Sequence, residues 1–411
     1  MEIRLASMET PPRTSTPTKT ANRRPRRIAV YLSLATEHGR GILRGIAHFF
    51  HQRPEITVLK FSDPAAYDPT GLRRLRLDGI IARVATRRNE TTLAALRVPV
   101  VNVSGQIATP RLPLINTDDL WVGQLALRHL HGRAFRNFAY CGSTTHLGSV
   151  LRYRGFCSEA RRLGISASIP RHILPQGDQN APYSDAIRAR LTAWLKSLPT
   201  PVGILGFTDR VALELDEAAA RIGLRVPEDV AILGVGNDLA RVEFAHVALS
   251  SIQLNTQKIG WQAAEKLQAM MDGADLTPAE TLVRPQKIVT RRSTDRFAVD
   301  DEVVAQALDY IREHVSNTIY VEEIARTVGV NRRVLELRFR AALATSVYAE
   351  VQRQHFERAL ELMPETTLTL GEIAYASGFE SPSVFASAFR RRHGKSPSEY
   401  RGSLAGSARD R

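Results

Sequence analysis

The sequence predicts a two-lobed, doubly wound α/β domain followed by a smaller all-α domain. Short apolar runs alternate with helical patterns up to about residue 296, whereas from residue 299 onward strand signals vanish and only helical patterns remain. The length of 411 residues points the same way. A single hydrophobic core stops growing near roughly 250–300 residues, so we expect two or three folding units.

Each predicted strand is a short apolar run, and each predicted helix has apolar residues recurring at i, i+3 and i+4. In chain order the strand and helix pairs are Ile28–Leu34 with Arg40–His51, Ile56–Phe61 with Asp68–Leu77, Gly79–Ala82 with Asn89–Leu96, Asn137–Cys141 with Ser149–Leu163, and Val202–Gly206 with Arg210–Ile222. Val98–Val103 and Val230–Val235 add strands, and Trp121–Leu130 adds a helix. So many units exceed one parallel sheet, and two lobes are therefore expected.

The charge balance suggests a polyanionic partner. Lys and Arg number 56 against 42 Asp and Glu, which gives a net charge of +14. Residues 299–401 nevertheless hold 13 basic and 15 acidic residues. A case for nucleic-acid binding by this segment must therefore rest on where its arginines lie.

The ends of the chain and its cysteines predict an intracellular protein. Residues 1–27 form a basic, Pro- and Thr-rich tail, expected to be disordered, that contains no apolar signal segment, and residues 403–411 are expected to be flexible. No apolar run is long enough to span a membrane. Cys141 and Cys157 are too few for a disulfide framework. We therefore expect a cytoplasmic protein without membrane partners.

The catalytic templates are absent from the sequence. No dinucleotide-binding glycine motif, Gly-x-Ser-x-Gly elbow or His-Glu-x-x-His zinc motif occurs. His129 and His131 are close in sequence, but alternate residues on a helix face different directions, so we expect no metal site there. The sequence predicts neither a cofactor nor enzymatic activity.

The C-terminal segment contains an internal repeat with a spacing of 49 residues. Ile324-Ala325-x3-Gly329-Val330 recurs as Ile373-Ala374-x3-Gly378-Phe379. In each copy a short helix ends at a glycine turn and a second helix follows, which is the helix-turn-helix arrangement. Leu335 with Phe339, and Phe385 with Phe389, are the expected buried i, i+4 pairs of the second helices.

The second helix of each copy suits the major groove of double-stranded DNA, with its first residues near base edges and its arginines near phosphates. The predicted DNA-binding residues are Asn331, Arg332, Arg333, Glu336, Arg338 and Arg340 in the first copy, and Ser381, Ser383, Ala386, Ser387, Arg390 and Arg391 in the second. The alternative is an ordinary helical bundle with a solvated arginine face. Two matching copies favour the DNA-binding interpretation.

The second copy and the residues after it resemble the signature of the AraC/XylS class of transcription factors. The matching residues run from Ile373-Ala374 and Gly378-Phe379 through Ser381, Phe385 and Phe389-Arg390-Arg391 to Gly394, Ser396-Pro397 and Tyr400-Arg401. The resemblance covers about 100 residues. It implies a seven-helix module in which a long helix, here about residues 346–363, joins two helix-turn-helix motifs that read adjacent major-groove segments.

Residues 28–292 resemble the type I periplasmic-binding-protein-like sensor of LacI-type regulators. The matching residues are Asn116-Thr117-Asp118 with Gly123, Arg152 with Gly155-Phe156, Thr208-Asp209, Val226-Pro227-Glu228-Asp229-Val230 and Ser250-Ser251-Ile252. We do not expect residues 1–27 to form the N-terminal DNA-binding helices of that family, because they are too few and too polar. The order of sensor and helical module resembles the xylose operon regulatory protein family over nearly the whole chain.

This resemblance implies a small sugar, xylose or a related pentose, bound between the two lobes. By position it assigns ligand binding to Glu37, Arg152, Thr208, Asp209 and Asn237. One departure concerns the strand Val230–Val235: where the family places a sugar-binding aspartate next, this chain has Gly236.

Together these observations predict a sugar-responsive bacterial transcription factor, associated with the nucleoid, with a sensor at 28–296 and a DNA-binding domain at 299–402. Sugar binding would close the lobes and change how two protomers of a homodimer pack, and RNA polymerase would be a partner if the protein activates transcription. Two alternatives stay open. One is a constitutive DNA binder whose sensor serves only dimerisation or binds a ligand other than xylose, and the other is a sugar-binding enzyme or carrier with an incidental helical tail.

Overall fold

The computed structural model describes residues 24–62, 66–165, 168–175, 183–274, 279–295, 299, 301–365 and 368–406. Its strands are β1 (Arg26–Leu32), β2 (Ile56–Ser62), β3 (Gly79–Ala82), β4 (Val100–Asn102), β5 (Leu114–Thr117), β6 (Asn137–Gly142), β7 (Arg171–Ile173), β8 (Val202–Gly206), β9 (Val230–Val235), β10 (Ser250–Gln253), β11 (Glu280–Val283) and β12 (Lys287–Val289).

The helices of the sensor are α1 (Glu37–Phe50), α2 (Pro69–Arg74), α3 (Arg87–Ala94), α4 (Asp119–Gly132), α5 (Leu147–Arg162), α6 (Asp185–Lys196), α7 (Asp209–Arg221), α8 (Leu239–Val242) and α9 (Thr256–Met271). The helices that follow are α10 (Glu302–Glu313), α11 (Val321–Thr327), α12 (Arg332–Leu343), α13 (Val347–Glu365), α14 (Leu370–Ala376), α15 (Pro382–His393) and α16 (Pro397–Gly406).

Two six-stranded sheets form the two lobes of the sensor. The first has the order β11-β5-β4-β3-β1-β2, and the second has the order β12-β10-β9-β8-β6-β7. The pairings are parallel except for β10 with β12. Helices cover both faces of each sheet, so the central strands are fully buried apolar runs. The predicted two-lobed α/β fold is confirmed.

The chain crosses between the lobes more often than the sequence indicates. After β10 in the second lobe it forms α9, which packs on α1 in the first lobe, and β11 then joins the first sheet beside β5. Strand β12 returns to the second sheet. These crossings connect the lobes through several segments, and the cleft between them is a place where ligands bind in such folds.

Helices α10 to α16 form the C-terminal domain, and the seven helices expected from the resemblance are all present. Helices α11 and α12 make the first helix-turn-helix motif, α14 and α15 make the second, and α13 joins them. The predicted core pairs Leu335 with Phe339 and Phe385 with Phe389 are buried. The second turn requires Gly378, because its φ is +80° and a Cβ atom there would lie 2.5 Å from the Asn317 carbonyl oxygen.

The predicted tails are shorter than expected. Arg26 and Arg27 belong to β1 rather than to a disordered tail, because this strand pairs in register with β2 from Arg26 onward. At the other end, α16 continues to Gly406, beyond the predicted limit at residue 402. Residues 1–23 and 407–411 lie outside the described residues. Within the described residues, both cysteines are free thiols and no helix is long and apolar enough to cross a membrane.

Candidate functional site

A cavity of about 540 Å³ lies between the two lobes, a volume suited to a small molecule. Its walls come from the loops that follow the carboxyl ends of strands in both sheets, which is where open parallel sheets bind ligands. Four of the five predicted ligand-binding residues line it, namely Glu37, Arg152, Thr208 and Asp209. Four residues that the resemblance indicated therefore lie around one cavity, and the fifth is described below.

Arg152 is a buried cation in the wall of this cavity. Its Nε donates to Oδ1 of Asp119 at 2.7 Å, and a second guanidinium nitrogen donates to the carbonyl oxygen of Phe207 at 2.5 Å. Both side chains are less than a tenth exposed. Asp119 is the first residue of α4 and Arg152 lies on α5, so this ion pair joins the two helices at the cavity wall.

Thr208 and Asp209 form the start of α7. The Thr208 hydroxyl accepts a hydrogen bond from the backbone N–H of Val211 and so caps this helix. The Asp209 carboxylate accepts from the Ser251 hydroxyl and from the backbone N–H of Asp238, the latter at 2.7 Å. Burial raises the pKa of Asp209 to about 6. This carboxylate is positioned to accept hydrogen bonds from a ligand's hydroxyl groups.

Glu37 lies in the first turn of α1 at the cavity edge. Its carboxylate accepts from Arg40 at 3.1 Å and also from Arg44 on the same helix. Arg40 and Arg44 therefore compensate the negative charge of Glu37, a residue that the family resemblance assigned to ligand binding. The carboxylate remains available at the cavity wall, since its side chain is 28% exposed.

Asn237 is the exception among the predicted ligand-binding residues, and its assignment is corrected. It does not line the cavity, because its side-chain oxygen accepts a hydrogen bond from Arg291 at 2.8 Å. Asp238 lines the cavity instead. Its carboxylate lies 3.5 Å from Arg40 and 3.4 Å from Arg241.

The structure explains why glycine, and not the aspartate of the family, occupies position 236. Gly236 has a φ of +130°, a conformation that side-chain-bearing residues rarely adopt, and a Cβ atom there would lie 3.0 Å from Oδ2 of Asp209. An aspartate at position 236 would also bring a second carboxylate against Asp209. The acidic group at this strand end is Asp238, two residues further along the chain.

Two histidines that are not among the five predicted ligand-binding residues also line the cavity. His38 follows Glu37 on α1, and His146 precedes α5, where its ring lies 4.7 Å from the ring of Phe207 and contacts the Gln106 amide. Burial, reinforced by the positive charges of Arg152 and Arg83, lowers the pKa of His38 to about 4 and that of His146 to about 3. Both are therefore neutral near pH 7 and can donate and accept hydrogen bonds. No sequence motif marks them.

Because the pKa values of His38 and His146 are lowered in the folded protein, we expect the protein to lose stability in mild acid. The unfolded chain takes up a proton at each histidine near pH 6.5, whereas the folded protein takes up the His146 proton only near pH 3. The free energy of unfolding should therefore fall as the pH drops from 6.5 toward 4, by about 1.4 kcal/mol per pH unit for each such group. When the free energy of unfolding is measured with urea at several pH values, it should change less steeply with pH in the His146→Gln variant, by about 1.4 kcal/mol per pH unit. The same substitution at the exposed His51 should leave the slope unchanged, and an unaltered slope for His146→Gln would contradict the assignment.

The second helix of each helix-turn-helix motif begins with a side-chain cap. The Asn331 side chain accepts from the backbone N–H of Val334 at 2.9 Å, and the Ser381 hydroxyl accepts from Val384 at 3.3 Å. The two caps occupy equivalent places in the repeat. They fix the first turns of α12 and α15, from which the predicted DNA-binding residues project.

Most of the predicted DNA-binding side chains are exposed. The exposed ones are Asn331, Arg332, Arg333, Arg338 and Arg340 on the first helix and Ser383, Ser387, Arg390 and Arg391 on the second, with Glu336, Ser381 and Ala386 partly exposed. Several have partners within the protein. Arg338 pairs with Asp301 at 2.8 Å, Arg332 pairs with Glu322, and Glu336 accepts from the backbone N–H of Val347 at 3.4 Å.

Arg338 and Glu336 also make contacts within the C-terminal domain. Arg338 lies on the side of α12 that faces the start of α10, where it pairs with the capping residue Asp301. Glu336 lies on the side that faces the start of α13. Both side chains connect α12 to neighbouring helices. The sequence alone could not distinguish such contacts from exposure of these side chains to solvent.

The sensor and the C-terminal domain are in direct contact. Arg353 on α13 donates to the carbonyl oxygen of Gly132, the last residue of α4, at 3.3 Å. Ala134, two residues later, belongs to the core that α10, α12 and α13 form. Arg133 and Arg312 both pair with Asp295 at the junction. Helix α4 thus runs from the cavity, at Asp119, to the DNA-reading domain.

Comparison with known proteins agrees with this division of the chain. Residues 127–294 match the family model of a periplasmic binding protein-like domain, and residues 324–403 match that of a helix-turn-helix domain. The xylose operon regulatory protein of Escherichia coli K12 is 31% identical over 329 residues, which cover 79% of this chain and 83% of that protein. The protein of the same name from Haemophilus influenzae is 26% identical over 383 residues, 91% of this chain and 98% of that one.

A solved structure resembles nearly the whole chain. The structure of the xylose-binding transcription activator XylR aligns with 92% of this chain and 97% of its own, with a TM-score of 0.58 and 27% identity. The likeness extends over both the sensor and the helical domain.

Proposed function

Because the chain belongs to the xylose operon regulatory protein family, we propose that it controls transcription by binding duplex DNA in response to a small sugar. The observation that carries this proposal is the combination of a polar cavity between two lobes with two capped helix-turn-helix motifs in one chain. The regulatory role also accounts for the absence of catalytic motifs from the sequence, which disfavours an enzyme.

The ligand we propose is xylose or a related pentose. Its hydroxyl groups would be bound by the carboxylates of Asp209 and Asp238, the guanidinium of Arg152 and the neutral imidazoles of His38 and His146. Because these groups come from both lobes, a ligand that contacts all of them stabilises the closed arrangement. A cavity with this lining also favours a sensor over the alternative in which the domain serves only dimerisation.

The proposed output is a change in how two protomers present their DNA-reading helices. A homodimer would place two such domains on neighbouring half-sites, and ligand-dependent lobe closure would set their spacing. If the protein activates transcription, RNA polymerase bound beside it is the further partner. We expect it to act in the cytoplasm.

The test is the binding of the full chain to duplex DNA selected from a random library, with and without each member of a panel of pentoses and hexoses. One sugar is expected to change the dissociation constant for the selected DNA and to raise the melting temperature of the protein. Saturation at about 100 times the Kd should add roughly 2.7 kcal/mol to the free energy of unfolding. Specific DNA binding that no sugar alters would leave a constitutive DNA binder, and the absence of any DNA binding would contradict the proposed function.

The salt dependence of DNA binding should separate Arg390 from Arg338. Arg390 is exposed near the end of α15, where a phosphate contact is expected, whereas Arg338 is paired with Asp301. Arg390→Ala should weaken binding to every sequence and lower the slope of log K against log salt concentration by about 0.9. Arg338→Ala is the matched control and should keep the slope. Equal slopes for both variants would remove Arg390 from the DNA interface.

A further inference from the structure

Three large apolar side chains lie exposed on the DNA-reading helices. On α12 they are Val334, which is 37% exposed, and Leu337, which is 58% exposed, and on α15 the residue is Val384, which is 45% exposed. None of them was among the residues that the sequence assigned to DNA. Leu337, at the centre of α12, exposes more than half of its surface and does not belong to the core of the domain.

The helix geometry places these side chains away from the core. Leu335 and Phe339 are buried, and Leu337 lies between them in sequence, about 200° around the helix from Leu335. Val334 is three residues before Leu337 and therefore shares its face. The cap from Asn331 to the Val334 backbone N–H fixes the first turn from which this face projects.

Positive charge flanks this apolar pair. Arg333 and Arg340 are exposed and lie on the same side of α12 as Leu337, at helical spacings of four and three residues. This combination suits duplex DNA, because its phosphates attract the arginines. The C5-methyl group of thymine is the apolar group that a base presents in the major groove.

We propose that Val334 and Leu337 on α12, and Val384 on α15, determine sequence specificity by contacting thymine methyl groups in the major groove. The inference rests on the proposed DNA-binding function and adds the chemical class of base that these helices select.

The internal repeat makes the proposal more specific. Val334 and Val384 are equivalent, because each is the third residue after its capping residue and donates its backbone N–H to that cap. Leu337, by contrast, is equivalent to Ser387, whose hydroxyl donates to the Ser383 carbonyl oxygen at 3.0 Å. The segment read by α12 should therefore contain two methyl-dependent thymines, and the segment read by α15 should contain one.

The experiment replaces thymines by deoxyuridine, one at a time, in duplexes selected by the full chain. Deoxyuridine lacks only the C5-methyl group and keeps the hydrogen-bonding edge. At each contacted thymine the dissociation constant should rise about fourfold, the ratio that corresponds to burial of one methyl group. Leu337→Ala should weaken binding to thymine DNA by a similar factor and abolish the deoxyuridine effect at one position only. Leu239→Ala, a truncation of an exposed sensor leucine, is the matched control and should keep every deoxyuridine effect.

Two results would overturn the inference while leaving the proposed function intact. One is sequence-specific binding in which deoxyuridine at every thymine changes the dissociation constant by less than about twofold. The other is a Leu337→Ala variant that binds more weakly but keeps all the deoxyuridine effects of the natural sequence. Failure of the full chain to select any duplex would instead contradict the proposed function and this inference together. Thermal unfolding of Leu337→Ala checks that the exposed truncation leaves the fold unchanged.

Discussion

Replacing Arg152 by alanine is expected to lower the free energy of unfolding by about 3–5 kcal/mol and to abolish stabilisation by the sugar. Stability falls because Asp119, the ion-pair partner of Arg152, remains in the variant. Asp119 is 6% exposed, and without the guanidinium its carboxylate would stay buried and uncompensated at neutral pH. The loss of ligand binding follows separately, because the Arg152 guanidinium lines the cavity and would no longer be there to bind the sugar.

Two further variants separate the two effects. In Arg152→Met combined with Asp119→Asn, no buried charge is left unpaired, so much of the stability should return while the sugar response stays absent. Arg154→Ala is the matched control, because Arg154 lies on the same helix but is exposed, and it should change neither property. Urea unfolding with and without sugar measures both. A sugar response that survives in Arg152→Ala would exclude Arg152 from the ligand site.

The pH dependence of the Arg152→Ala variant offers an independent check. Burial raises the pKa of the Asp119 carboxyl, and Arg152 opposes this shift. Removing the arginine should raise the pKa further. A carboxyl whose folded pKa lies above its unfolded value destabilises the fold at high pH, and this penalty declines as the pH falls from the folded pKa toward the unfolded pKa. The stability deficit of the variant should therefore shrink in mild acid.

The sequence predicted the parts of the fold that depend on local pattern. The buried pair Phe385 and Phe389 follows from i, i+4 spacing, and strands such as Val202–Gly206 follow from continuous apolar runs. The place of β11 in the first sheet did not follow, because this short strand has a mixed burial pattern and its partner β5 lies far away in sequence. Topology of this kind depends on long-range pairing that a local pattern does not encode.

The residues of the candidate sites also divide into those that the sequence indicated and those that depend on long-range packing. Family resemblance indicated Arg152 and Asp209, which lie in the cavity, but it also indicated Asn237, whose backbone φ of 53° and bond to Arg291 direct it elsewhere. His146 could not be found from sequence, because its role depends on the approach of Phe207 from another strand end. Likewise, only the packing of α12 on α10 shows that Arg338, although exposed, pairs with Asp301.

Replacing Arg353 by methionine is expected to destabilise the C-terminal domain by about 3–5 kcal/mol and to weaken its coupling to the sensor. Arg353 donates to Glu350 at 2.8 Å, to Glu357 at 2.7 Å and to the Gly132 carbonyl oxygen across the domain boundary. Glu350 is 7% exposed, so without the guanidinium its carboxylate would stay buried near the carboxylate of Glu357. Methionine keeps most of the side-chain volume, which limits the change to charge and hydrogen bonds.

The coupling between the sensor and the C-terminal domain can be measured as the cooperativity of their thermal unfolding. In the natural sequence, the sugar should stabilise the sensor and the DNA-reading domain together, because the contact between Gly132 and Arg353 lies at the end of the helix that begins beside Arg152. In Arg353→Met, calorimetry should show a separate, lower transition for the C-terminal domain that the sugar no longer shifts. Arg358→Met is the matched control on the same helix, since its guanidinium donates to the Ala376 carbonyl oxygen within the domain and does not contact the sensor. A single transition that the sugar shifts equally in both variants would show that the domains are coupled without Arg353.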